Sequence, residues 1–171
     1  MNVTDYNGEG RWSRVEILAR YGQYAAEAKI IPLDLSPMEH EERGHRWVYP
    51  AMSKVIEGIE AGDRACIRIG IEFIEEDAKF TFGKILKSNT ARALRRAVLS
   101  DSQKHRIRRR VFGLLRDGHV PHEFREYAKL VRRIGFDASE IPEVDGSDPY
   151  VERFRRYFEM ACKANLATVK P

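Results

Sequence analysis

Apolar residues recur along most of the chain at spacings of three and four, the period that places them on one face of a helix. The first such segment covers residues 11–29, with an apolar face that we expect to hold Val15, Leu18, Gly22 and Ala25. Pro32 follows, and proline interrupts helices because it has no amide hydrogen and clashes with the preceding turn. The pattern therefore predicts a first helix that ends before Pro32.

Helix-capping motifs indicate where further helices begin. Ser36-Pro37-Met38-Glu39 combines a capping serine, a proline at the first helical position and a glutamate three residues after the serine. We expect a helix there that Pro50 kinks or ends, and a second piece that runs to about Gly62. Ser100-Asp101-Ser102-Gln103 forms a second capping box, which predicts a helix start at residue 100.

Three more helices follow from the same periodicity. One is expected at about 82–98, one begins at Pro121 and ends near Gly135, and the last begins at Asp148-Pro149. The segment Cys66–Phe73 is ambiguous because it alternates apolar and polar residues, which is typical of a strand. A lone strand among helices would have no partner, so we predict a helix.

These elements predict an all-α fold of about seven or eight helices. The segments 63–98 and 100–135 both resemble helical hairpins, so the fold is either an irregular helical bundle or a short array of antiparallel helical hairpins with a HEAT-like layout. We expect a loose lead-in at residues 1–10, a single domain at 11–165 and a frayed tail at 166–171.

Composition and length indicate the class of protein. The chain has 171 residues, 43% of them hydrophobic, enough for one core. It has no apolar run of the length of a membrane span and no secretory signal at its N-terminus, so we expect a cytoplasmic protein without membrane contact. The two cysteines, Cys66 and Cys162, lie in apolar-periodic segments, where cysteine usually acts as a small hydrophobe.

Charge is distributed unevenly along the chain. Residues 1–83 carry a net charge of −5, residues 84–133 carry +11 from 15 Lys/Arg against 4 Asp/Glu, and residues 134–171 carry −2. Such a basic stretch, on three consecutive predicted helices, could neutralise the phosphates of a nucleic acid or another polyanion. The candidate polyanion-binding residues are Lys84, Lys87, Arg92, Arg95, Arg96, Arg106, Arg108, Arg109, Arg110, Arg125, Lys129, Arg132 and Arg133.

Sharper chemical interpretations have weaker support. Glu42 and His45 stand three residues apart, a spacing by which helices bind metal ions, but the chain has no second Glu-x-x-His. Residues 102–134 allow a helix-turn-helix with a four-residue turn at 117–120. His119 and His122 flank Pro121 in a predicted loop, where histidines more often donate hydrogen bonds or cap helices than catalyse.

We find no nucleophile motif and no phosphate-binding glycine loop, so we expect a protein without catalytic residues or cofactor. The leading hypothesis is a non-enzymatic helical binding or scaffold protein whose basic 84–133 surface engages a polyanion, nucleic acid in particular. The alternative is a protein–protein adaptor or homo-oligomer, in which an acidic protein surface meets the basic one. A metal-dependent enzyme built on Glu42 and His45 is the third hypothesis.

Overall fold

Seven α-helices and a small three-stranded sheet make up the residues that the computed structural model describes, 2–76 and 79–168. The strands are β1 (Asn2–Asp5), β2 (Glu39–Glu42) and β3 (His45–Val48). The helices are α1 (Arg14–Glu27), α2 (Ala51–Glu60), α3 (Arg64–Glu75), α4 (Gly83–Leu94), α5 (Asp101–Arg116), α6 (Phe124–Ile134) and α7 (Pro149–Thr168). The protein is broadly helical, and the expectation of a strictly all-α fold was wrong.

The chain divides into two compact units, residues 1–98 and 99–171. Unit 1 contains the sheet and α1–α4, and unit 2 contains α5–α7. The predicted helical hairpins correspond to α3 on α4 in unit 1 and α5 on α6 in unit 2, since each pair is in contact. A HEAT-like repeat of these pairs, and a single domain over residues 11–165, stay predictions.

The sheet replaces the helix that the first capping box predicted. Arg43 and Gly44 both have positive φ, 51° and 77°, as the two central residues of a type I′ hairpin turn do. Two successive residues in this conformation cannot continue a right-handed helix. The Ser36 amide donates to Asp34 Oδ1 at 2.9 Å, so the segment before β2 forms a local turn instead of a helix cap.

The expected lead-in supplies the third strand. β1 pairs in parallel with β3, with Asn2 opposite His45, while β2 pairs with β3 in antiparallel orientation. The strand order is therefore β1-β3-β2. At the other end of the chain, α7 continues through residues 166–168 of the expected tail, whereas Met1 and residues 169–171 lie outside the described residues.

Helix α3 is central to unit 1, where it contacts α1, α2 and α4. It begins at an Asp63 cap, whose carboxylate accepts the Cys66 amide at 2.8 Å, and the predicted helix over Cys66–Phe73 is confirmed. Ile67, Ile69 and Phe73 are all buried, so apolar residues surround most of the helix. This explains why its sequence also fits strand alternation.

A buried carboxylate joins α3 to the N-terminal part of unit 1. Glu72, with 9% of its side chain exposed, accepts hydrogen bonds from Arg11 at 2.7 Å, Arg20 at 2.8 Å and the Tyr24 hydroxyl at 2.8 Å. Arg68 lies 3.7 Å from the same carboxylate and stacks on the Tyr24 ring. We call Arg11, Arg20, Tyr24, Arg68 and Glu72 the Glu72 cluster.

The apolar face of α1 differs from the prediction. Ile17, Tyr21 and Tyr24 are buried together with the expected Ala25, whereas Val15 is 68% exposed. The sequence thus predicted this helix correctly but placed its core face on other residues. Helix α4 is shorter than the predicted 82–98, because it begins at Gly83, after Phe82 with a φ of 64°, and already ends at Leu94.

Unit 2 is built around aromatic contacts. Phe158 of α7 is fully buried and meets Phe112 at 5.0 Å and Phe136 at 5.3 Å between ring centroids, in edge-to-face geometry. The second capping box is confirmed, because Ser100 and Gln103 bond each other's amides at the start of α5. The apolar residues of α5 at helical spacing, Ile107, Val111, Leu114 and Leu115, are all buried.

Candidate nucleic-acid interface

The predicted basic residues divide between the two units, since α4 belongs to unit 1 and α5 and α6 belong to unit 2. On α4, Lys84 is exposed, but Lys87 is only 4% exposed and does not reach solvent as the prediction requires. Arg92 donates to Asn89 Oδ1 at 3.1 Å, and Arg96 lies 3.5 Å from Glu60. Arg92 and Arg96 therefore contact residues of their own unit. Arg95, which caps the C-terminal end of α4, is half-buried.

On α5 the basic residues are also partly engaged. Arg108 donates to Glu140 Oε1 at 2.9 Å and to the Gly135 carbonyl at 3.3 Å, so it tethers the segment after α6. Arg106 and Arg110 are half-buried, while Arg109 is exposed. Arg108 therefore has a structural role, because it holds the segment after α6 against α5.

Helix α6 presents the most available charge. Arg125, Arg132 and Arg133 are exposed, and none of them has a carboxylate partner among the described residues. Lys129 lies between them on the same helix face and is held 3.1 Å from Glu126 Oε1. The spacing of these four basic residues, 125, 129, 132 and 133, keeps them on one side of the helix, opposite the buried Phe124, Tyr127 and Val131.

A groove runs beside this cationic face, between α6 and α7. Its volume is about 620 Å³, and its lining includes His122, Arg125, Lys129, Arg153 and Tyr150. A neighbouring hollow of about 360 Å³ is lined by Lys129, Arg132, Arg133 and Tyr157. Lys129 and Tyr157 line both, so the two form one continuous depression, which we call the α6–α7 groove.

Comparison with known proteins identifies no relative of this chain. No family model, no curated protein and no solved structure matches the chain. The lining of the α6–α7 groove combines basic side chains, aromatic rings and His122, and fixed cations of this kind attract anions.

Other interpretations of the basic region lose support. The connection between α5 and α6 covers residues 117–123, because Pro121–Glu123 form a turn before α6 begins at Phe124. This is longer than the four-residue turn of the predicted helix-turn-helix. Glu123, which would have faced the phosphates, is 3% exposed and does not project from the surface.

The metal hypothesis does not fit the structure. Glu42 and His45 face each other across the β2–β3 hairpin instead of sharing a helix face, and His45 Nε2 is hydrogen-bonded to Thr4 Oγ1 at 2.9 Å. Within residues 2–76 and 79–168, no group of three or more His, Cys, Asp or Glu side chains is arranged to hold a metal ion. Nothing in this part of the chain would complete a metal centre.

The two thiols are poor nucleophiles. Burial raises the pKa of the Cys66 thiol strongly, and the nearby Asp63 charge raises it further. Burial also raises the pKa of Cys162, which is half-exposed on α7, with a smaller contribution from Asp137. A raised thiol pKa means less reactive thiolate at neutral pH.

Sequence analysis missed the contribution of α7 to the groove. Tyr150, Phe154 and Tyr157 all line the groove, and Tyr150 is 66% exposed. Arg153 received no role at all. The spacing of Arg153 and Tyr157, four residues apart on one helix face, was the available signal.

No helix within the described residues has the length and apolarity that crossing a membrane requires.

Proposed function

We propose that this chain is a non-enzymatic binding protein that engages nucleic acid through the cationic face of α6. The observation that carries the proposal is the set of exposed arginines, Arg125, Arg132 and Arg133, without carboxylate partners among the described residues. Arginine binds phosphate oxygens with two parallel hydrogen bonds, and its charge cannot be titrated away at physiological pH.

The length of this face favours a polymer over a single anion. Arg125 and Arg133 are eight residues apart, which corresponds to about 12 Å at about 1.5 Å of rise per residue. Successive phosphates along one strand of a duplex rise by about 3.4 Å, so the face spans about three of them. A cytoplasmic scaffold role, the expectation from composition, belongs to the same proposal.

A salt titration tests the proposal. We would follow the fluorescence anisotropy of a labelled oligonucleotide, both single-stranded and duplex, as sodium chloride is raised. Affinity should fall linearly on a log–log scale, by about 0.7 to 0.9 per phosphate neutralised. The triple variant Arg125→Glu, Arg132→Glu and Arg133→Glu should bind at least about 100-fold more weakly, since it replaces attraction with repulsion at three phosphate contacts.

A matched control separates a local site from net charge. Reversing Lys29, Arg43 and Arg64, which are all exposed in unit 1, changes the net charge by the same amount. This control should retain binding, with unchanged far-ultraviolet circular dichroism in both variants. Equal losses in the two variants would contradict a site on α6.

The alternative partner is an outcome of the same experiment. If neither oligonucleotide binds and light scattering shows dimers that dissociate as salt is raised, the basic face serves self-association. That result would replace the nucleic-acid proposal. Reversal of the three α6 arginines would then abolish dimerisation instead of oligonucleotide binding.

A further inference from the structure

We infer that the α6–α7 groove takes unpaired nucleotides, with bases stacked on Tyr150 and Tyr157 and the sugar-phosphate chain held by the α6 arginines. This inference rests on the proposed function and adds the form of nucleic acid that the site selects. Charge alone does not explain the aromatic rings that lie among the cations of the groove.

The Tyr150 side chain is accessible to a ligand because it is not part of the core of unit 2. Helix α7 packs into unit 2 through Val151, Phe158 and Ala161, which are all buried on its inner side. Tyr150 precedes them, is 66% exposed, and lines the groove. An exposed ring of this size in a concave, cationic site offers a flat apolar surface to a ligand.

Tyr157 is held in place more firmly. Its ring meets Phe158 edge-on at 5.5 Å between centroids, and the Arg132 guanidinium lies 5.8 Å from the ring centroid. Phe154, one turn before it, packs edge-on against Phe124 of α6 at 4.8 Å. The groove is therefore lined by aromatic rings packed against neighbouring side chains, together with cations from both helices.

Basic side chains and aromatic rings line the groove together. Arg125 and Arg153 line its wider part together with Tyr150, and Arg132 and Arg133 line the neighbouring hollow together with Tyr157. Proteins that bind single strands combine these two elements, a basic path for the backbone and aromatic rings on which bases stack. Asp148 accepts the Tyr150 amide at 2.7 Å and so places a negative charge at one end of the path.

A duplex cannot use the aromatic part of this site. Its bases are stacked on each other and paired, so only phosphates and base edges reach a protein surface. An unpaired strand can place base faces on the tyrosines while its phosphates meet the arginines. The groove should therefore prefer single strands, although both forms carry the same backbone charge.

The test compares three labelled probes of equal length at one salt concentration: an oligo(dT) strand, a mixed-sequence duplex, and an abasic strand with sugar-phosphate backbone but no bases. The oligo(dT) should bind at least about 10-fold more tightly than the abasic strand, because stacking on an aromatic ring strengthens binding by roughly that factor per base. The duplex should resemble the abasic strand.

Variants locate the effect. Tyr150→Leu with Tyr157→Leu should lower oligo(dT) affinity about 10-fold or more and leave abasic binding unchanged. Tyr150→Phe with Tyr157→Phe should restore it, since the ring is kept. Tyr150→Leu alone provides the test if the double variant is unstable, because this side chain is mostly exposed.

The outcomes distinguish the inference from the proposal beneath it. If duplex, abasic and oligo(dT) probes bind equally and the leucine variants change nothing, the inference is overturned and charge-based nucleic-acid binding stands. If no probe binds at low salt, both are overturned. Selective oligo(dT) binding that the tyrosine variants leave intact also overturns the inference, because the preference would then arise elsewhere.

Discussion

In unit 1, Arg11, Arg20 and Arg68 converge on the buried Glu72, whereas in unit 2 Arg125, Arg132 and Arg133 lie on an exposed helix face without a carboxylate among the described residues. Counted by unit, residues 1–98 contain 15 Lys/Arg and 15 Asp/Glu, and residues 99–171 contain 15 and 11. Unit 1 is neutral and unit 2 carries +4. The two units thus contain equal numbers of basic residues, but the arginines around Glu72 are paired with a carboxylate and the three exposed arginines of α6 are not.

The division of charge between the two units changes the interpretation of the basic stretch at residues 84–133. The +11 of residues 84–133 combines the α4 region, where Arg92 and Arg96 contact residues of unit 1, with α5 and α6 of unit 2. Breaking a buried ion pair destabilises a folded unit, whereas exposed charge without a partner in its own unit is accessible to a ligand. Three predictions follow this division, from the largest expected effect to the smallest.

The first prediction concerns stability of unit 1. Glu72→Gln should lower the free energy of unfolding by about 3 kcal/mol, because it leaves Arg20, with 11% of its side chain exposed, without its charge partner. Both tryptophans, Trp12 and Trp47, lie in unit 1, so urea unfolding followed by tryptophan fluorescence reports this unit.

The matched control is Glu27→Gln, which removes an ion pair with Arg68 at the surface, where the Glu27 side chain is 48% exposed. Exposed pairs contribute little, so the unfolding midpoint should barely move. Equal effects of the two substitutions would show that the Glu72 cluster does not hold unit 1 together.

The second prediction uses the two thiols as probes of each unit. Cys66 is fully buried in α3 and its pKa is raised by burial, while Cys162 on α7 is half-exposed. Iodoacetamide should modify Cys162 at least about 100-fold faster than Cys66, since Cys66 reacts only when unit 1 opens. Mass spectrometry of peptides after timed quenching measures both rates.

Glu72→Gln sharpens this probe. It should accelerate modification of Cys66 and leave the rate at Cys162 unchanged, if the two units open separately. Parallel acceleration at both cysteines would mean that the units unfold together and that their stabilities cannot be compared one by one.

The third prediction compares two arginines within unit 2. Arg125→Gln should make the salt dependence of oligonucleotide binding shallower by about 0.7 in log–log slope on a single strand, or about 0.9 on a duplex, because one phosphate contact is lost. Arg108→Gln removes the same charge but breaks the bond to Glu140 inside the unit. Its slope should stay the same, and a decrease as large as that of Arg125→Gln would show that paired arginines also contact the ligand.

Local sequence rules predicted the elements whose causes are local. The Ser100–Gln103 capping box predicted the start of α5, and the helical spacing of apolar residues predicted α6, on which Phe124, Tyr127 and Val131 are buried. The same rules failed at Ser36–Glu39, where the capping pattern is present but β2 forms. Its residues Glu39–Glu42 are all exposed, so they carry no apolar alternation that would predict a strand.

The candidate site divides in the same way. The basic face of α6 follows from its periodicity, and the sequence predicted Arg125, Lys129, Arg132 and Arg133. The groove itself required knowing that α7 packs on α6, and this contact depends on tertiary structure. Tyr150 and Tyr157 fit an apolar stripe equally well whether they face a core or a ligand, so spacing alone could not tell the two apart.

The sheet of unit 1 joins strands at very different distances along the chain. β2 and β3 are linked by the two-residue Arg43-Gly44 turn, whereas β1 reaches β3 across about 40 residues. Closing a loop costs entropy that rises by about 0.6 kcal/mol with each doubling of its length. Adding β1 therefore costs about 2.6 kcal/mol more chain entropy than forming the hairpin, so we expect β1 to unpair first as unit 1 loosens.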